Sequence, residues 1–255
     1  MPDRADQPTD FHREVAGRLL RLTGTAASGG LDDAVEILVR CVAGGGVIHA
    51  FGTGHSEAFA MEIAGRAGGL IPTSRIALRD VVLYGGYAPD QLEAYPPLER
   101  DPGVAAALFA TVSRDPADAF IIASNSGGNA STVGLAVLAK EHGHPVIAVT
   151  SLEHTARVSS SSPGGRRLAD VADVVLDNLA PFGDAALPGP DGTPVGAVSS
   201  ITAAYLAQLL TIATARRLAG DGVMPPVYLS ANIPGGDEHN RALEEKYRGR
   251  IRRSA

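Results

Sequence analysis

The residues able to do chemistry gather in two short stretches of this chain. Val47-Ile48-His49-Ala50-Phe51 runs into Gly52-Thr53-Gly54-His55-Ser56, and Phe120-Ile121-Ile122-Ala123 runs into Ser124-Asn125-Ser126-Gly127-Gly128-Asn129, with Ala130-Ser131-Thr132 behind it. In both, an apolar run gives way to glycines and hydroxyls and then to helical spacing, which spells strand, loop, helix. The first turn of a helix presents unpaired N–H groups and a partial positive charge, so such a loop attracts an anion. Ser56, Ser124, Ser126, Ser131 and Thr132 add hydroxyl donors, Asn129 adds an amide, and Gly127 and Gly128 let the backbone approach a ligand closely. No Lys or Arg falls between Arg114 and Lys140, so neutral dipoles must hold the anion at the second loop. Each hydrogen bond to a charged group contributes roughly 1.5–3 kcal/mol, and four together, after association costs, give affinity on the order of micromolar to millimolar. A phosphate ester suits this chemistry. A dinucleotide suits it poorly, because Glu57 stands where the third glycine of that fingerprint belongs, and a Walker lysine is also missing.

Composition narrows the class. The 255 residues carry a formal net charge of -6, which disfavours a broad nucleic-acid surface. Cys41, the one cysteine, can form no internal disulfide, which fits a reducing cytoplasm. Its helical neighbours Val35, Leu38 and Val42 mark it as a core residue rather than a nucleophile. Residues 1–10 are polar and lack the apolar stretch of a signal peptide, and no apolar run nears the ~20 residues that span a bilayer, so no membrane partner is expected.

The elements that must position the two loops follow from periodicity. Helices are predicted over 11–22, 31–43, 57–67, 101–112, 131–142, 198–218 and 237–251, and strands over 47–51, within 70–78, and over 119–123, 146–150, 171–176 and 227–229. Residues 79–103, with four prolines, read as an irregular excursion; 151–167 and 178–197 read as loops. Strands that alternate with helices and are nearly all apolar predict a doubly wound α/β fold, its parallel sheet covered on both faces. No linker composition divides the chain, so it reads as one domain over 1–255 with its core at about 31–232. Ligands in such folds gather outside the carboxyl ends of strands, where both Ser/Gly loops fall. The long apolar segment 198–218 must be buried, within the domain or between subunits.

At residues 52–56 and 124–129 the chain resembles the sugar-isomerase (SIS) domain family, whose members carry two such signature loops. The resemblance covers about residues 10–230. The later segments around 168–178 and 230–240 look like a single-domain bacterial branch, with sedoheptulose-7-phosphate isomerase the nearest functionally defined relative. It implies a five-stranded parallel sheet with helices on both faces, a phosphorylated-sugar ligand, no cofactor, and a homo-oligomer, dimer or tetramer. It implies that Ser124, Ser126 and Ser56 hold the phosphate, joined by Gly127. Asn129 stands in the position of the family's threonine, and Ser131 is the candidate for the missing hydroxyl.

Aldose–ketose isomerisation needs a base that moves a proton between adjacent carbons and a group that opens the ring. A partly enclosed glutamate serves as such a base. Glu57, in the first turn after the first loop, and Glu62, further along and on another face, are the candidates. Each has a plainer alternative, helix capping for Glu57 and an i, i+4 pair with Arg66 for Glu62. His55, between Gly54 and Ser56, should face the ligand, and His239 could complete the site from a neighbouring subunit. His154 lies in a loop past a strand end, His49 reads as a core histidine, and His12, His142 and His144 read as surface or turn residues. His55, Glu57 and His239 form no recognised metal motif, so no metal is expected. A sugar-phosphate isomerase is the leading reading. The alternatives are a phosphosugar-sensing module without chemistry, or ether cleavage or deamination by the same enolising chemistry. With about 45 residues ahead of the first strand, a DNA-binding regulator is disfavoured.

Overall fold

The structure, a computed structural model, describes residues 6–252. Its elements in chain order are α1 (Asp6–Ala27), α2 (Asp32–Ala43), β1 (Ile48–Gly52), α3 (Glu57–Ile63), β2 (Thr73–Ile76), α4 (Asp80–Leu83), α5 (Val104–Thr111), β3 (Ala119–Ala123), α6 (Ala130–Glu141), β4 (Val146–Thr150), α7 (Leu152–Thr155), α8 (Leu168–Val171), β5 (Val174–Asp177), β6 (Ala185–Pro188), β7 (Pro194–Ala197), α9 (Ser199–Gly220) and α10 (Gly236–Glu244). Five strands form one parallel sheet in the order β2-β1-β3-β4-β5. β1, β3 and β4 are buried at every position, as largely apolar runs covered on both faces must be, with His49 the buried polar member of β1.

Alternate residues of these strands feed two cores. Ile48, Ala50, Ile121, Ala123, Ile147 and Val149 pack toward α2, α3 and α9. Phe51, Phe120, Ile122, Val146 and Ala148 pack toward α5 and α6. Each such aliphatic or aromatic side chain taken from water contributes roughly 1.5–3 kcal/mol. The long helix α9 is held inside the molecule, against α1, α2 and α3, and the α1 residue Thr23 bonds the hydroxyl of Tyr205 at 2.7 Å. Ile201 and Ile212 stay exposed on its outer side.

Several expectations are corrected. α3 stops at Ile63, because Ala64 is extended and Gly65 turns left-handed at φ 76°; the first glycine ends the helix rather than Gly68. Residues 185–197 form an antiparallel hairpin, not a loop. Its signal was Pro190-Asp191-Gly192 between apolar residues, and the Asp191 carboxylate accepts the Thr193 N–H at 3.0 Å as an Asx turn does. β5 begins at Val174 because residues 168–171 make a helical turn, with Asp170 accepting the Arg167 N–H at 2.8 Å. Val227 makes only an isolated bridge to Leu70, and the last helix is shorter than predicted, 236–244. α1 is longer than its predicted 11–22.

The amino ends of the strands are pinned by a buried carboxylate. Asp118 is fully buried and accepts the Val47 N–H at 2.7 Å, the Asp115 N–H at 2.8 Å, His49 Nε2 at 3.1 Å and the Arg250 guanidinium at 2.5 Å. His49 is thus the core histidine expected. His144 is not the surface residue expected: it is buried, with Nδ1 3.3 Å from the Asp118 carbonyl. Cys41 is buried nearby, and burial with the Asp118 charge pushes its thiol up to about 12, which excludes a nucleophile at neutral pH.

Burial pulls the His49 imidazole below its ordinary value, against the opposing pull of Asp118. For Asp118 burial acts upward, but the hydrogen bonds from His49 and the backbone outweigh it and hold the carboxyl below the usual range. His49 is therefore neutral and donates from Nε2, leaving Nδ1 without a partner among the described residues. Because the folded His49 value lies below the unfolded one, the unfolded chain takes up a proton as pH falls below about 6.5 while the folded chain does not. Stability should therefore fall by up to about 1.4 kcal/mol per pH unit through that window. Urea unfolding at pH 7.5 and pH 5.5 checks this: His49→Gln should flatten the slope, and an identical slope in the variant refutes the assignment.

Candidate functional site

β1 leads to β2 on one side of the sheet and β3 leads to β4 on the other, so the chain leaves these two adjacent strands in opposite directions. Such a reversal opens a crevice outside the carboxyl ends of the two central strands. The loop 52–56 leaves β1 and the loop 124–129 leaves β3, so both fall at this crevice. Gly52 is needed here because a Cβ would stand 2.2 Å from the Ser56 carbonyl oxygen, where the loop folds back on itself. Gly127 turns left-handed at φ 61°, and its N–H donates to Ser124 Oγ at 3.1 Å.

An inner cleft of ≈ 10 Å³ lies between the loops, bounded by His55, Ser56, Ser124, Asn125, Asn178, Ser199 and Ser200 over an apolar floor of Phe59, Ala123, Val149 and Ala203. That is room for about one water. His55 and Ser200 also border a larger open cavity of ≈ 590 Å³, lined by Glu57, Met61, Arg66, Arg75 and Arg79 among others.

The second loop is held from behind. Thr155 Oγ1 donates to the carbonyls of Ser126 at 3.1 Å and Asn125 at 3.3 Å, and lies 3.0 Å from Thr150 Oγ1. Asn178 Nδ2 donates to Asn125 Oδ1 at 3.1 Å, while Asn178 Oδ1 accepts the Ala180 N–H at 3.0 Å. The Asn125 amide N–H groups remain for the cleft. At the start of α9, the Asp184 carboxylate accepts the Ser199 N–H at 2.7 Å and the Val198 N–H at 3.2 Å, which removes those donors from anion binding. The first-turn N–H groups of α6 keep no such cap from the Asn129 side chain.

The structure brings Ser56, Ser124 and His55 together at the cleft, with Glu57 at the adjoining cavity. Ser126 is half-buried on the same loop, and Asn129 Nδ2 reaches across to Thr53 Oγ1 at 3.4 Å, tying the two loops. Ser131 departs from expectation: it lies fully buried in the first turn of α6, its hydroxyl without a partner among the described residues, and does not line the cleft. Glu62 points elsewhere too. Its Oε1 takes an ion pair from Arg66 and a 2.6 Å hydrogen bond from Gln208 of α9, outside the lining of both cavities. His154 accepts the Gly183 N–H at 3.1 Å and packs on Phe182. His239 is exposed, with Nε2 3.0 Å from the Val227 carbonyl. Val227 bridges Leu70 ahead of β2, so His239 sits at the amino-end side of the sheet, opposite the crevice. Among the described residues, no three His, Cys, Asp or Glu side chains converge as a metal site would need.

Sequence reasoning missed Asn178, Ser199, Ser200, Arg75 and Arg79. A signal existed for the serines, since Ser199-Ser200 open the longest apolar-periodic run; the others carry none short of the sheet order.

The SIS domain family model matches residues 10–151. A UPF0309 protein of Geobacillus thermodenitrificans is 38% identical over 229 residues, covering 87% of each chain. The UPF0309 protein lmo0025 of Listeria monocytogenes is 38% identical over 223 residues, covering 87% of this chain and 89% of that one. Among solved structures, E. coli CFT073 c3406 in complex with A5P superposes with a TM-score of 0.53 at 16% identity, covering 85% of this chain and 94% of its own. A phosphoheptose isomerase from Francisella tularensis gives 0.52 at 15% identity, covering 86% and 99%. Those two likenesses speak for the fold. On the family match and on relatives aligned over most of its length, the chain belongs to the SIS domain family.

Among the described residues, no helix is long and apolar enough to cross a membrane.

Proposed function

We propose that this protein binds a phosphorylated sugar at the crevice and interconverts its aldose and ketose forms through an enediol. The observation that carries this reading is the convergence of two hydroxyl- and glycine-rich loops at the strand-order reversal, beside a far larger cavity. The phosphoryl group sits where the two cavities meet, taking Ser56, Ser124 and the first N–H groups of α6, with Ser126 and Asn129 at the loop's edge. The inner cleft is too small for a whole phosphate, so the sugar extends into the larger cavity. There His55 and Glu57 flank it. In this reading Glu57 is the base that carries the proton between carbons and His55 assists ring opening. Glu62, with its oxygen engaged by Arg66 and Gln208, positions α3 against α9 instead. His239 enters the site only if a second copy of the chain supplies it, so a homo-oligomer stays part of the proposal.

Solved likenesses support the substrate class in kind: c3406 is in complex with A5P, and the Francisella tularensis protein is a phosphoheptose isomerase. Incubation with a panel of sugar phosphates in heavy water tests the reading. Deuterium should enter at the carbon beside the carbonyl, and Glu57→Gln should slow entry by about 10²–10⁴-fold, the usual contribution of a positioned general base. Glu62→Gln should leave it nearly unchanged. Undiminished exchange in Glu57→Gln removes that residue from the role, and saturable binding without exchange favours the sensing module instead.

A further inference from the structure

Two charged groups of the larger cavity have no place in the proton transfer just described. Arg75 projects from β2; its strand partner is Ala50, whose face of the sheet packs toward α3. Arg79 follows three residues after β2 ends. Both line the cavity; the Arg75 side chain is only 8% exposed, that of Arg79 44%. Each directs a guanidinium nitrogen at the same oxygen, Glu57 Oε1, at 3.6 and 3.5 Å. Those separations exceed hydrogen-bond length, and Glu57 Oε1 is buried without a hydrogen-bond partner among the described residues.

The third arginine of the cavity, Arg66, is matched by Glu62. Among the ion pairs of the described residues, two guanidiniums thus share one carboxylate, on a chain whose net charge is -6. A guanidinium is a fork of five donors suited to bidentate pairing with an oxyanion. Burying one with a single loosely held carboxylate oxygen is unfavourable unless something else completes it. Glu57 stands where an incoming oxyanion would, and both arginines open on a space large enough for the distal part of a sugar.

We infer that Arg75 and Arg79 form a second anion subsite. Resting on the phosphosugar reading above, the substrate then carries, besides the phosphate at the two loops, a carboxylate or a second phosphate on its distal part. That group replaces Glu57 as partner of the arginines and leaves the Glu57 carboxylate for the proton transfer. It also explains the division of labour along the crevice: neutral dipoles hold one anion, cations the other, so the two ends of the substrate are not interchangeable.

Calorimetric titration of the full chain with matched ligands tests this. Glucitol 6-phosphate and gluconate 6-phosphate differ in one terminal group, a CH₂OH against a carboxylate. Fructose 6-phosphate and fructose 1,6-bisphosphate differ by the second phosphate. The member of at least one pair that carries the second anionic group should bind tenfold or more tightly, equivalent to about 1.4 kcal/mol. Which pair shows the preference tells carboxylate from phosphate. In Arg79→Gln, with an unchanged melting profile, the ratio should fall below threefold, and Arg79→Lys should restore part of it. Raising the salt concentration should shrink the ratio as well. Monophosphates that bind with no preference in either pair overturn the second subsite alone, as does a preference untouched by Arg79→Gln. A chain that binds none of the four overturns the phosphosugar reading, and this inference with it.

Discussion

Asp118→Ala should lower the unfolding free energy by about 3–5 kcal/mol, the typical penalty for breaking a buried charge network by removing one partner. The carboxylate is fully buried and accepts from four donors, two of them backbone N–H groups, one just ahead of β1 and one in the turn that leads into β3. Its removal leaves the Val47 N–H and the His49 ring unsatisfied in the interior and deprives Arg250 of its counter-charge. Arg250 can recover part of this loss, because its side chain is 23% exposed and can rehydrate. Against a typical total of about 5–15 kcal/mol the effect is large, and it corresponds to a drop of roughly 10 °C in Tm for a chain of this size. Urea titration measures it as a lower midpoint at unchanged slope. The network lies at the amino ends of the strands, so ligand affinity of the folded fraction should be preserved. A variant within about 1 kcal/mol of the parent would show that the network contributes little net stability, as some buried ion networks do.

Ser124→Ala combined with Ser126→Ala should weaken phosphosugar binding by about 10²-fold or more, from two lost hydrogen bonds to a charged group at roughly 1.5–3 kcal/mol each. Ser124 is 4% exposed and lines the inner cleft. Its Oγ accepts the Gly127 N–H at 3.1 Å, which uses a lone pair and leaves the hydroxyl proton to donate to a ligand. Some of the loss will therefore come from a looser loop rather than a missing ligand contact. Ser124→Ala alone should show that share as a small fall in Tm, whereas Ser126→Ala, on the half-buried rim, should change affinity with little change in Tm. Titration with the sugar phosphates that bind the parent chain measures both. Undiminished affinity in the double variant would refute phosphate binding at this loop.

Local residue pattern is enough to place most of the elements that carry the chemistry. β3 and β4 fall at the residues their apolar runs mark, 119–123 and 146–150, because a central strand covered on both faces favours a nearly continuous apolar run. The Ser/Gly loops after β1 and β3 were legible for a local reason: a strand ending in glycines and small hydroxyls before a helical period can only turn there. Where local signals competed, the reading slipped. The hairpin at 185–197 hid in a stretch rich in Pro and Gly, and α3 ended at Ile63, ahead of Gly65 and about one turn short of its predicted 67.

Tertiary structure decided which of the candidate side chains meet. Spacing along α3 could not say that Glu62 faces Gln208 of α9 while Glu57 faces Arg75 of β2 and Arg79, because those partners lie far off in sequence or on another element. It could not place Asn178 against Asn125, 53 positions away, nor bring Ser199 and Ser200 to the cleft. Nor could it set His239 at the amino-end side of the sheet, away from the loops. The physical reason is the same in each case. Periodicity fixes the face on which a residue lies, but the strand order β2-β1-β3-β4-β5 fixes what that face meets, and the order follows from how the whole chain packs.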